Sequence, residues 1–204
     1  MTPTIKARRR KQHRLEILTA AEQIFARQGY HTTTMEAVAE ECGWSKGTLY
    51  LYFKNKEDLF FSILIEKMER FSETLLNELK TSEGVKGKVA ALIDAQFQFL
   101  TENKHFFQLV IAEQGKVMHS SDSGLREKLV TQQQTHIEQL SQALKDGMAE
   151  DSQIDPSILA GSIVGAVNLH QLNWLMATDT IDLNHIKSQI ASLFINGILP
   201  HENI

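Results

Sequence analysis

Hydrophobic positions along this chain recur every three or four residues almost throughout, and strand-like alternation is nearly absent. Leu15, Leu18, Ala21 and Phe25 share one face of a helix predicted over residues 14–28, which Gly29 ends as a C-cap. A threonine of His31-Thr32-Thr33-Thr34 caps a short second helix, Met35 to Cys42, whose apolar side is Ala37, Val38 and Cys42. Gly43 turns the chain, and Ser45 is a natural cap for a third helix, Lys46 to Phe53, held inward by Leu49 and Phe53. Neither proline nor glycine interrupts the chain between Asn55 and Gly84. There Phe60, Leu64, Met68, Phe71, Leu75 and Leu79 mark a rod of about 25 residues, roughly 37 Å long.

The remainder continues in the same period. Val85, Val89, Leu92, Gln96 and Leu100 mark one helix, and Lys104 to Glu113 a short one. His119 to Gly124 forms a polar loop, and Leu125, Leu129, His136, Leu140 and Leu144 mark the next helix. Asp155-Pro156 opens a helix to about Ala177, and Asp182 opens the last, ending near Gly197 and Pro200. The expected fold class is all-α. The last two helices are unusually apolar: Ile158, Leu159, Ile163, Val167, Leu172, Leu175 and Met176 on one, Ile186, Ile190, Leu193, Phe194 and Ile198 on the other. Ala160, Gly161, Gly165 and Ala166 let helices approach closely. These two helices are therefore expected to form a homodimer interface as a four-helix arrangement with a second copy.

Composition narrows the class. The 204 residues are 42% hydrophobic, enough for a real core, and the one cysteine, Cys42, leaves no disulfide framework within the chain. No secretory leader pattern and no run of about 18 apolar residues is visible, so a cytoplasmic protein without a membrane partner is expected. The net charge of −4 hides an asymmetry: ten Lys/Arg against five Asp/Glu in residues 1–56, eleven against twenty in residues 57–204. A basic module on an acidic body is the footprint expected when only the first part meets a polyanion.

The third helix carries the chemistry. In Trp44-Ser45-Lys46-Gly47-Thr48-Leu49-Tyr50 a glycine sits in the first turn, costing about 1 kcal/mol of helix stability relative to alanine. Two helices joined by a tight glycine turn match a helix-turn-helix, whose second helix enters the major groove of double-stranded DNA by its N-terminus. Lys46 suits guanine O6 and N7, Thr48 a base or a thymine methyl, and Gly47 removes a side chain where backbone and DNA meet. Ser45 opens that edge. Tyr50 and Tyr52 offer hydroxyls to phosphates, Lys54 and Lys56 add charge, and Thr33-Thr34 begins a helix whose free N–H groups suit a phosphate. Taken singly, the lysines also fit a solvated face, the tyrosines plain packing, and the basic run Lys6 to Lys11 a simple disordered end.

Together, Thr33-Thr34 with Ala37-Val38-Ala39, Gly43 to Tyr50, and Tyr52-Phe53-Lys54-Asn55-Lys56-Glu57-Asp58-Leu59 resemble the TetR/AcrR family of bacterial transcriptional regulators. The resemblance spans about residues 11–60. It implies a DNA-binding domain at residues 1–56 and a ligand-binding and dimerisation domain at residues 57–204. It also implies a dimer on a palindromic operator, usually a repressor released by a small-molecule effector. Trp44 departs from the family's usual aliphatic residue and is expected to fill the same core slot. Leu51 stands where some relatives have a polar or aromatic phosphate contact, so no contact is carried over to it.

The body offers an apolar interior with polar interruptions at Gln96, Gln133, His136, Asn168, His170, Gln171 and Asn173. An apolar or aromatic effector is expected among Phe97, Leu100, Phe107 and Trp174, oriented by His136, Asn168 or Gln171. The same stripe also fits plain core. The eight histidines show no His-x-x-x-His pair, and no P-loop, nucleophile elbow or HExxH occurs. Metal, cofactor and catalysis are therefore not expected. A helical carrier of hydrophobic ligands or a helical adaptor that does not act on DNA is the alternative, and the intact recognition turn argues against it.

Overall fold

In the computed structural model, which describes residues 4–118, 123–177 and 182–198, every regular element is helical. The helices are α1 (Ile5–Thr32), α2 (Met35–Glu41), α3 (Lys46–Tyr50), α4 (Lys56–Thr81), α5 (Gly84–Glu102), α6 (Lys104–Met118), α7 (Ser123–Lys145), α8 (Pro156–Met176) and α9 (Leu183–Ser192). A π-helical stretch, Leu193–Ile198, continues α9. Of the predicted polar loop, His119 to Asp122 lies outside the described residues, while Ser123 and Gly124 already belong to α7.

The chain divides into two compact units. The first takes Met1–Met68 and Leu109–Arg126, the second Glu69–Gln108 and Glu127–Ile204. The division falls inside α4, a helix of 26 residues that belongs to both.

In the first unit the expected start of α1 is corrected. The basic run is not a loose tail: α1 begins at Ile5, and the Thr4 hydroxyl accepts from Ala7 N at 3.3 Å. Alanine, arginine, lysine and glutamine are good helix formers, so the cap is followed by residues that propagate it. Regular helix ends where predicted, at Gly29, whose φ of 78° suits a residue without Cβ. Gly43, at φ 67°, likewise makes the turn between α2 and α3. The core of this unit joins Ile17, Leu18, Phe25, Val38, Leu49 and Phe60, all buried. Phe25 and Phe60 meet edge to face at 5.1 Å. The apolar side of α2 is Met35, Val38 and Ala39, rather than Ala37 and Cys42, which are half-buried.

The second unit packs Leu75 and Leu79 of α4 with buried residues of α5, α7, α8 and α9, among them Leu92, Ile93, Leu140, Ile163 and Ile190. Lys88, itself buried, donates to Leu79 O at 2.8 Å and closes the end of α4. Asp155 caps α8 by accepting from Ser157 N at 2.7 Å, and Asp182 caps α9 by accepting from Asn184 N at 3.0 Å. Both caps stand where the sequence places them.

Candidate nucleic-acid interface

The recognition helix is short because its sequence is poor helix material, and its geometry is fixed at both ends. Ser45 Oγ accepts from Thr48 N at 3.1 Å and lies 2.8 Å from Thr48 Oγ1. Leu49 and Phe53 are fully buried, which anchors the inner face. Regular α-helix stops at Tyr50, and the predicted extension to Phe53 becomes a turn, with Phe53 N donating to Leu49 O at 3.1 Å. The outer edge consists of Ser45, Lys46 and Gly47, all exposed, with Thr48 half-buried beside them. A Cβ placed on Gly47 would meet only Ser45 Oγ, at 3.9 Å. Neither backbone conformation nor internal crowding demands this glycine.

Lys46 reaches back to α2 and forms an ion pair with Glu36. The hydrogen bond from Lys46 holds the Glu36 carboxyl below its usual range, and the same bond pushes the Lys46 ammonium up. The Lys46 ammonium also lies 5.9 Å from the Tyr50 ring centre. A base or phosphate that takes Lys46 therefore competes with one exposed carboxylate.

The remaining sequence candidates separate. Tyr50 and Lys54 are exposed, and Lys54 N donates to Asp58 Oδ2 at 2.9 Å. Tyr52 is half-buried, its hydroxyl 3.4 Å from His13 Nδ1 and Arg10 over its ring at 5.9 Å. Trp44 does not fill a sealed core slot: it is half-buried, edge-on to His13 at 4.8 Å and 5.9 Å from Tyr52. Thr34 is exposed and caps α2, its hydroxyl accepting from Ala37 N at 3.1 Å.

Two candidates prove structural. Thr33 is completely buried, and its hydroxyl donates to Gly29 O at 2.8 Å, so its side chain is no phosphate ligand. Lys56 is turned inward. Its ammonium donates to Tyr30 O at 2.8 Å, His31 O at 3.1 Å and Thr33 O at 2.8 Å, and lies 4.6 Å from the Tyr30 ring centre. It ties the residues that follow the break at Gly29 to the first turn of α4. Lys56→Met keeps the apolar stem and removes the charge, and it should lower unfolding stability by about 2–3 kcal/mol in urea denaturation. The salt dependence of DNA binding should stay as it is, whereas loss of a phosphate contact lowers its slope by about one.

The body candidates all lie in the second unit. Phe97 and Leu100 are buried on α5. Phe107 of α6 meets Phe99 edge-on at 5.6 Å, and Phe99 stacks on Phe71 at 4.3 Å. Trp174 lies under the Lys104 ammonium at 4.3 Å. His136 is buried, and burial pushes its imidazole toward the neutral form. Ser72 Oγ donates to Gln139 Oε1 at 3.3 Å and stands 3.0 Å from His136 Nδ1. Asn168 is corrected: it is exposed, as are Gln133 and Asn173. Gln171 donates to the Gln96 carbonyl at 2.9 Å and so ties α8 to α5. The Gln96 side chain, named in the sequence only as an interruption, is the odd group. Both amide atoms are buried, with no hydrogen-bond partner among the described residues. Each such atom ordinarily costs about 1–3 kcal/mol.

Comparison with known proteins decides the family. The model for bacterial regulatory proteins of the tetR family matches residues 17–63, and that for the C-terminal region of YsiA-like proteins matches residues 64–197. The chain belongs to the TetR family. It is a DNA-binding transcriptional regulator and not an enzyme. Over 187 residues it is 28% identical to the fatty acid metabolism regulator protein of Bacillus subtilis, covering 90% of this chain and 94% of that one. The solved structure of FadR from Bacillus subtilis in complex with stearoyl-CoA is 27% identical, with a TM-score of 0.71 over 90% of this chain and 98% of the other. The fatty acid degradation regulator FadR of Bacillus halodurans is 26% identical, with a TM-score of 0.70 over 94% and 97%. Among the described residues of this TetR-family chain no helix is long and apolar enough to cross a membrane, and no cluster of His, Cys, Asp and Glu suits a metal ion.

Proposed function

We propose that this protein is a repressor whose dimer holds a palindromic operator and releases it when a long-chain acyl-CoA binds the second unit. The observation that carries the ligand reading is a likeness along nearly the whole chain, not the DNA-binding part alone, to a regulator seen with stearoyl-CoA. The interior agrees with an acyl chain: Phe97 and Leu100 are buried, and the Phe71, Phe99 and Phe107 rings pack on one another. The bases would be read by Lys46 and Thr48 across Gly47, and the backbone held by Thr34, Tyr50, Tyr52 and Lys54. The basic first turns of α1 would add sequence-independent attraction.

The dimer would form along α8. Ile158, Leu169, Leu172 and Met176 are exposed apolar residues, and Gly161 and Gly165 have open space where a Cβ would stand. The spacing 158, 161, 165, 169, 172, 176 is one continuous stripe of threes and fours. It lies opposite the buried Leu159, Ile163 and Val167. Exposed Leu193 adds to it from the segment after α9. An apolar helix face of this length, with glycines at its middle, supports a twofold contact with a second copy. Two recognition helices would then stand about 34–36 Å apart on one DNA face. Since α4 belongs to both units, a ligand that resets α4 in the second unit would alter that spacing. For release, the acyl-CoA must bind the DNA-free form more tightly.

A gel-shift assay on the DNA upstream of its own gene tests this. A retarded band that stearoyl-CoA abolishes, and CoA alone does not, is the expected result. Retardation that acyl-CoA leaves untouched would contradict the ligand reading.

A further inference from the structure

We propose that the Gln96 carboxamide is the polar anchor of the acyl-CoA site, hydrogen-bonding the ligand where its hydrocarbon ends and its polar arm begins. This rests on the acyl-CoA reading above and assigns a residue to it. Gln96 sits on the buried stripe of α5, between Leu92 and Ile93 one turn before it and Leu100 one turn after it. The residue is 6% exposed, and neither Nε2 nor Oε1 has a hydrogen-bond partner among the described residues. Its backbone is held in place separately, since its carbonyl accepts from Gln171 Nε2 at 2.9 Å. A stripe that needed only packing would be better served by leucine, because a buried amide retains its desolvation cost until something bonds to it.

The chemistry of an unpartnered amide selects its ligand. Gln96 presents one donor group and one acceptor, both uncharged, in apolar surroundings. An ionised carboxylate would satisfy Nε2 while facing Oε1 with a second negative oxygen, so a free fatty acid anion fits poorly. An acyl thioester offers a carbonyl oxygen to Nε2. Two methylenes beyond its sulfur, the pantetheine arm offers an amide N–H to Oε1. Both unmet atoms of Gln96 are then bonded by one uncharged stretch of one molecule. The apolar residues along α5 stay in contact with the acyl chain. His136 and Gln171 keep the protein partners already described and are not needed for this contact.

A chemical double-mutant cycle tests the assignment by calorimetric titration of the purified full chain. The probes are stearoyl-CoA and octadecyl-CoA, the thioether that lacks the carbonyl. The unaltered protein should bind the thioester about tenfold more tightly than the thioether, as expected for one buried hydrogen bond. Gln96→Leu should melt at the same or a higher temperature without ligand, having lost an unbonded amide, and should bind the two probes alike. Gln96→Met, of similar length and without an amide, should also bind them alike and serves if the leucine variant does not fold. A thioester preference that survives in the variants would overturn the assignment while leaving the acyl-CoA reading intact. Failure of the unaltered protein to bind stearoyl-CoA at all would overturn both.

Discussion

Gly47→Leu should leave the fold as stable as before, or more so, and remove operator binding. In the free protein a Cβ at this position meets nothing nearer than Ser45 Oγ at 3.9 Å, and the residue is exposed. Leucine is a better helix former than glycine by roughly 0.8 kcal/mol, so the melting temperature should not fall. On DNA, the added side chain would occupy the space between the Lys46 and Thr48 contacts and lift the helix from the base edges. Loss of both contacts at about 1–3 kcal/mol each weakens operator binding by at least about 30-fold. Thermal melting and fluorescence anisotropy on the same preparation give the two readouts. If the variant loses stability and affinity together, the glycine serves the fold and not the groove.

Placing charge on the apolar stripe of α8 should have the second large effect. Leu169→Arg with Leu172→Arg replaces two exposed apolar residues by cations that a second copy would have to bury unpaired. Sedimentation should show the dimer mass for the unaltered chain and the monomer mass for the variant, with near-native helix content. A monomer engages one half-site at a time, so operator affinity should drop by about 100-fold or more. A variant that remains dimeric would move the interface away from α8.

The fold was largely legible because helical spacing and caps are local. Asp155, Asp182 and Ser45 are capping residues in the sequence and capping residues in the structure, and of the three threonines before α2 it is Thr34 that caps it. What escaped depended on distant partners. Lys56 looks like one more lysine of a basic surface, yet it is committed to three carbonyls around the Gly29 break, more than 20 residues away in sequence. Thr33 and Thr34 are identical in sequence, and only the placement of α1 shows that one is sealed and the other exposed. Thr4 capping the basic run turns an expected tail into the first turns of α1. The α8 stripe was visible as an apolar excess. Its division into a buried row and an exposed row required packing against α5 and α9. Gln96 stood out as a polar residue in an apolar period, but its lack of partners is a property of the folded interior alone.

The candidate reading edge stands out in the sequence for a different reason. Glycine inside a first turn, flanked by lysine and threonine, departs from what stability favours, and such departures gather where a surface is fitted to something else. The Lys46–Glu36 pair adds what the sequence did not show, a carboxylate on α2 that any DNA contact of Lys46 would have to displace.

The most direct test of the regulatory account is to close the thermodynamic cycle between operator and ligand. Stearoyl-CoA affinity is measured on the free protein and on the operator complex, and operator affinity with and without saturating stearoyl-CoA. The account predicts that each ligand weakens the other by the same factor, on the order of tenfold or more. Equal stearoyl-CoA affinity for the free and the operator-bound protein would contradict it.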